Sequence, residues 1–267
     1  MISAVILIWI SLIALELRVT RRNINNWATG YGSMTATLER NSKAPMRYRV
    51  LAAWTVGRLP LRYWPGGYMS LKYLLMGAAL FIAYPLLGLA GVAVLAVLTA
   101  STFEYDYWDC YAELAAVGLI LYGEPWAVLT GAVLWGLSKE TVFLAPALAL
   151  FAGGLHCGLI GLAGPLMFLL AMVIQGKAKL YCKRWTARVY NAADLRIAWA
   201  VKDSGMLLSL AWMIAAVLVA LFGKLAHPFA GTAWLGLGWF VAGWTLARAR
   251  ETRVFLPAAL WIASGVT

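Results

Sequence analysis

From Leu71 to Ala100 the sequence runs 30 residues with a single charge, Lys72, at its edge. A stretch of that length and apolarity has no good place on the surface of a water-soluble domain. It is long enough to cross a bilayer core of roughly 30 Å, which takes about 20 apolar residues in a helix. It is not alone: apolar runs cover Ile2–Leu17, Cys110–Tyr122, Trp126–Phe151, Leu159–Ile174, Met206–Phe222, Ala233–Leu246 and Val254–Ile262. Only 12% of residues are charged and mean hydropathy is +0.78, against about a quarter charged in an ordinary soluble domain.

Backbone groups facing lipid must be satisfied within their own segment, and the runs are apolar on every side rather than alternating, so helices are predicted and a barrel is excluded. The fold class expected is all-α: a polytopic transmembrane bundle of about seven to nine hydrophobic segments with interfacial amphipathic helices, forming one integral membrane domain over residues 1–267. The run 71–100 contains Pro85, Gly88 and Gly91 and reads equally as one tilted helix or two short ones. The apolar N-terminus lacks a basic leader and a small-residue cleavage site, so it reads as a retained helix.

The charge sits in the connections. The first basic connector, 18–68, holds nine Arg and Lys, among them Arg47, Arg49, Arg58 and Arg62; the second, 176–204, places Trp185, Val189, Ala192, Leu195 and Trp199 on one helical face. Residues 48–59 and that second face suit helices lying along the interface. The net charge of +11 then reflects cationic loops held against an anionic leaflet, not nucleic-acid binding. The positive-inside rule puts both connectors in the cytoplasm and the N-terminus outside, but whether the connectors share a face depends on whether 71–100 crosses once or twice, which leaves the orientation open. Fourteen tryptophans fit interfacial belts. Three scattered cysteines and two histidines exclude a disulfide framework and a histidine-rich metal site, and no Walker loop, GxSxG or HExxH is present.

Ionised groups beside apolar runs are costly enough to single out candidate sites. The patch Glu104, Asp106, Asp109, with Glu113 one turn further on, offers carboxylates that suit Mg²⁺ or Mn²⁺ shared with a phosphate, or a general base toward a hydroxyl. Lys139 and Glu140 are adjacent inside an apolar run and project to different sides, so at least one needs a partner from another segment. Arg248, Arg250, Glu251 and Arg253 precede the last run, where guanidinium forks match a lipid phosphate. Two stretches echo each other, Lys139-Glu140-Thr141-Val142-Phe143-Leu144-Ala145-Pro146 and Arg250-Glu251-Thr252-Arg253-Val254-Phe255-Leu256-Pro257, as an internal repeat of the transporter kind would produce.

Three phrases carry a resemblance. Ser138-Lys139-Glu140-Thr141 before Val-Phe-Leu-Ala-Pro is similar to the polar-Arg/Lys-Glu-Thr start of a mid-chain helix in the C-type glycosyltransferase superfamily. Arg250-Glu251-Thr252-Arg253-Val-Phe-Leu-Pro looks like that superfamily's Glu-x-Arg-x-x-x-Pro start of a late helix. Tyr48-Arg49-Val50-Leu51, followed by a Trp, is similar to a Tyr-Arg-Val-Leu-x-Pro-Trp phrase of related bacterial membrane proteins.

The resemblance implies a bacterial inner-membrane enzyme that moves a sugar from a polyprenyl-phosphate donor. It puts Glu104 and Asp106 in an external loop, coordinating a metal or positioning the acceptor; with the acidic patch itself, the expected catalytic residues are Glu104, Asp106 and Asp109, with Mg or Mn at Glu104 and Asp106. The resemblance further implies that basic residues of other loops grip the lipid phosphate, and the substrate-binding residues expected on the reading above are Lys139, Glu140, Arg250 and Arg253. The chain departs from the superfamily in its short length, its basic rather than acidic first loop, and the lack of a periplasmic domain after the helices. The residues alone leave two other readings open: a transporter, with its charges around a midplane cavity, or a non-catalytic scaffold, with its charges scattered.

Overall fold

A computed structural model describes residues 2–20, 37, 39–40, 49–56, 65–103, 108–176, 204–223, 225, 228–246 and 252–265. Ten α-helices are described: α1 (Ile2–Thr20), α2 (Leu51–Trp54), α3 (Pro65–Ala100), α4 (Asp109–Leu121), α5 (Pro125–Ser138), α6 (Ala145–Gly161), α7 (Ala163–Gln175), α8 (Ser204–Phe222), α9 (Phe229–Leu246) and α10 (Ala259–Ser264). Two 3-10 helices, Glu140–Leu144 and Thr252–Ala258, lead into α6 and α10. No strand occurs among the described residues.

The all-helical expectation holds, and three stretches, Ile2–Val19, Gly67–Ala100 and Glu140–Gln175, are long and apolar enough to cross a membrane. The expected seven to nine crossings exceed these three. Part of the reason is that α5 has 14 residues and α4 has 13, about 20 Å of helix against a 30 Å core.

Two of the long stretches are hairpins, not rods. Gly88 in α3 has φ 63°, ψ −175°, a conformation essentially reserved for glycine, and Pro85 just before it removes a helical donor. Contacts with α4 show what the break does. Lys72 Nζ lies 6.0 Å from the Tyr111 ring centre, and the Tyr122 hydroxyl donates to the Ile82 carbonyl at 2.7 Å. α4 therefore runs parallel to residues 72–82. A straight α3 would carry Ala100 about 42 Å past Lys72, beyond what the short link from residue 103 to Asp109 can recover. The arm 89–100 accordingly turns back toward the end where Lys72 lies, which resolves the one-or-two ambiguity in favour of two.

α6 reverses the same way. Gly153 and Gly154 (φ 77°, ψ −173°) break it, and a Cβ on Gly161 would come within 2.9 Å of the Pro146 Cα. Residues fifteen apart in a straight helix are separated by about 22 Å. Beyond the turn, 155–175 descends as one arm through α6 and α7. It packs parallel to α5 at a close approach, where a Cβ on Gly136 would meet the Gly164 carbonyl at 2.4 Å.

α1 is antiparallel to the first arm of α3: Trp9 donates to the Tyr73 carbonyl at 2.9 Å, and Glu16 pairs with Lys72, both fully buried. α5 is antiparallel to α4, since a Cβ on Gly131 would meet the Ala116 carbonyl at 2.6 Å and Trp135 reaches Glu113. One end of the bundle thus collects the C-termini of α1, α5 and α7 and the N-termini of α3 and α4. We call this the near end. The turns at Gly88, Tyr122–Glu124 and Gly153–Gly154 form the far end.

Of the stretch 48–59, expected as an interfacial helix, residues 49–56 are described. Within it, α2 is four residues long, and its Ala52 and Ala53 are buried with Val56, Tyr68, Trp108 and Ala112 in a second small core. It packs at the near end of the bundle, with Thr55 exposed beside it. The second connector lies outside the described residues. The last run, 255–263, is buried throughout, its Trp261 donating to Thr232 of α9 at 2.9 Å.

Added Cβ atoms at Gly88 and Gly154 would meet nothing within 4 Å, so alanine there tests backbone strain alone. Gly88→Ala and Gly154→Ala should each lower stability by about 1–3 kcal/mol. Gly231→Ala, equally uncrowded but at ordinary φ, should be neutral or mildly stabilising. Thermal unfolding in detergent checks the contrast.

Candidate functional site

The near end holds a group of charged side chains drawn from three separate parts of the chain. Arg49, just before α2, forks onto Glu140: its Nε donates to Oε2 at 3.0 Å and its Nη2 to Oε1 at 2.7 Å. Its Nη1 donates to Asp109 Oδ2 at 2.7 Å. This is the planar two-bond geometry that arginine supplies and lysine cannot.

A second group lies beside the first. Lys139 Nζ donates to Glu113 Oε2 at 2.5 Å, and the Thr141 hydroxyl donates to Glu113 Oε1. Trp135 Nε1 reaches both Glu113 Oε1 at 3.2 Å and Thr141 Oγ1 at 3.0 Å. The indole of Trp135 is held by stacking on Trp239 of α9, ring centres 5.3 Å apart.

Local conformation makes this possible. Lys139 is extended (φ −158°, ψ 148°), ending α5 and starting the 3-10 helix 140–144. The break lets neighbouring side chains diverge, so that Lys139 turns to α4 and Glu140 to Arg49. Asp109 and Glu113, four apart, share one face of α4. At least one of Lys139 and Glu140 was expected to need a partner from another segment, and both have one, Glu113 and Arg49.

Burial is steep. Glu113 is fully buried, Asp109 is 2% exposed and Lys139 8%, while the Glu140 side chain is 35% exposed. Burial alone would lower the pKa of Arg49, but the carboxylates of Glu140 and Asp109 more than offset it and hold it above the ordinary arginine value. Its positive charge is therefore permanent.

Of the expected site residues, Asp109, Lys139 and Glu140 come together. Glu104, Asp106 and Arg250 lie outside the described residues, as does the side chain of Arg253, whose backbone belongs to the 3-10 helix Thr252–Ala258. Among the described residues no cluster of three or more His, Cys, Asp or Glu could hold a metal ion, so the expected Mg or Mn rests on Glu104 and Asp106. The two echoing stretches share a local form: Val142-Phe143-Leu144 and Val254-Phe255-Leu256 both lie in 3-10 helices.

Sequence reasoning set Arg49 among topology anchors and named Glu113 beside the acidic patch without giving it a site role. The usable signals were the four-residue spacing of Asp109 and Glu113 and the place of Arg49 in the Tyr-Arg-Val-Leu phrase. Comparisons with protein-family models, characterised proteins and solved structures find no match.

Removing one member of a buried pair strands the other charge, at about 3–5 kcal/mol. Lys139→Met should therefore destabilise strongly, and Lys139→Met with Glu113→Leu should recover part of the loss. Unfolding of the four proteins of the cycle in detergent reads the coupling, expected at about 0.5–3 kcal/mol. Simple additivity would mean that the pair does not interact.

Proposed function

We propose that the chain is a multi-pass membrane transferase, with more crossings than the three long stretches alone, that accepts a sugar from a polyprenyl-phosphate donor in a bacterial inner membrane. The observation that carries this reading is the convergence of Arg49, Asp109, Glu113, Lys139 and Glu140 at one end of the bundle, with Glu140 as the carboxylate that reaches the surface. Convergence disfavours a scaffold. Placement at a bundle end, instead of around a midplane cavity, favours a transferase over a transporter.

Charge balance supports the chemistry. Three carboxylates face two cations in this cluster, leaving one surplus negative charge when all are ionised. It can therefore take a proton without creating an uncompensated buried cation. In the proposed reaction the acceptor hydroxyl oxygen attacks the anomeric carbon, and the bond from that carbon to the phosphate oxygen breaks. Polyprenyl phosphate leaves with the electron pair, and the hydroxyl proton passes to Glu140. Arg49 has five N–H groups and donates three of them within the site, so its guanidinium edge suits the departing phosphate. Arg250 and Arg253 would add to that grip. Glu104 and Asp106 would hold Mg²⁺ or Mn²⁺ against the phosphate if the reaction uses a metal.

Purified protein offered a polyprenyl-phosphate sugar, with and without Mn²⁺, should bind it and transfer the sugar. Glu140→Gln, whose amide oxygen can still accept from Arg49, should keep binding while transfer falls by about 10²–10⁴-fold. Glu104→Gln with Asp106→Asn should abolish any Mn²⁺-dependent part of binding. No binding by folded wild-type protein would remove the transferase reading.

A further inference from the structure

The two ends of the bundle differ sharply in charge. α1 ends at the near end, as its Glu16–Lys72 pair shows, and α3 begins there. The first connector therefore leaves and returns on that side, and Arg49 within it is bound there. The descending arm 155–175 passes the α5 C-terminus, with Phe168 against Phe143 of the 3-10 helix, ring centres 5.8 Å apart. Gln175 thus also lies at the near end, and the second connector starts from it. Nine Lys and Arg lie within 18–68 and seven within 176–204.

The far end is the opposite. Around Gly88, Tyr122–Glu124 and Gly153–Gly154 no Lys or Arg occurs, and Glu124 is the one Asp or Glu. All three turns are short and both basic connectors are under 60 residues, the regime in which Lys and Arg counts set orientation.

We propose that the near end faces the cytoplasm and the far end the outside, with the N-terminus of α1 outside. The near-end surface then rests against the anionic headgroups of the cytoplasmic leaflet. Given the transferase reading, the site is served from that leaflet. This places the acceptor and the sugar-phosphate on the cytoplasmic side, opposite to the external placement that the resemblance implies. Chain direction agrees: α1 runs toward the near end, α3 leaves it and its second arm returns, α4 leaves it, α5 returns, and the stretch of α6 and α7 leaves and returns, so both connectors meet the near end.

Labelling with a membrane-impermeant maleimide tests this on the full chain, after Cys110, Cys157 and Cys182 are replaced by Ala. Glu124→Cys reports the far end and Thr55→Cys the near end, both at exposed positions. The proposal expects Glu124→Cys to react in intact cells and Thr55→Cys only after lysis. Reaction of Thr55→Cys in intact cells, or failure of Glu124→Cys to react until lysis, overturns it. The readout needs no ligand, so loss of the transferase reading leaves this outcome unchanged.

Discussion

The near end depends on one guanidinium. Arg49 holds Glu140 with two bonds and Asp109 with a third, and these carboxylates belong to different elements, α4 and the 3-10 helix that follows α5. Without it, two carboxylates would face each other at the mouth of the bundle, and α2 would lose its polar anchor while keeping only its small apolar contact with Tyr68, Trp108 and Ala112. The Lys139–Glu113 pair depends on the same geometry, because Lys139 is freed toward α4 by the extended residue that also aims Glu140 at Arg49. Buried ion pairs are poor sources of net stability. Their persistence here, in two adjacent groups with one shared strand of backbone, fits a role in specifying arrangement and chemistry.

Glycine shapes the remainder. The hairpins at Gly88 and Gly154 convert two runs, each long enough to cross alone, into pairs of arms. They bring residue 103 and Gln175 back to the charged end. Close packing follows where glycine meets backbone: Gly131 against Ala116, and Gly136 against Gly164. With no hydrophobic force between helices in lipid, such approaches and the few interhelical polar bonds are what association has to work with.

Much of this was legible in the sequence. Apolar runs fix helices because backbone hydrogen bonding in lipid allows little else, and the need for at least one of Lys139 and Glu140 to pair with another segment followed from their adjacency. Asp109 stood out for its position at the start of a run. The identity of the partners was not legible. Arg49 is one of several arginines in a basic connector, and nothing local separates it from Arg47, which lies outside the described residues. Crossing number was hidden for a related reason: Pro85 and Gly88 announce a break, but whether a break kinks a helix or reverses it depends on what packs beside it, here the parallel α4. The burial of Ala52 and Ala53 in a small core was equally a matter of tertiary contact with Tyr68 and Trp108.

The separation of the site's charges along the chain bears on how the protein is made. α4 leaves the ribosome carrying Asp109 and Glu113, while Lys139, which will neutralise one of them, is still unsynthesised. A 13-residue helix with two carboxylates near its start is a poor candidate to settle in lipid unaided. The turn Gly123-Glu124-Pro125 is short enough for α5 to follow at once, so α4 and α5 should partition together, as a hairpin whose acids and lysine arrive already paired. Arg49, made first, meets Asp109 some sixty residues later but gains its two bonds to Glu140 only some ninety residues later, so the near end is complete only after the first five helices are made.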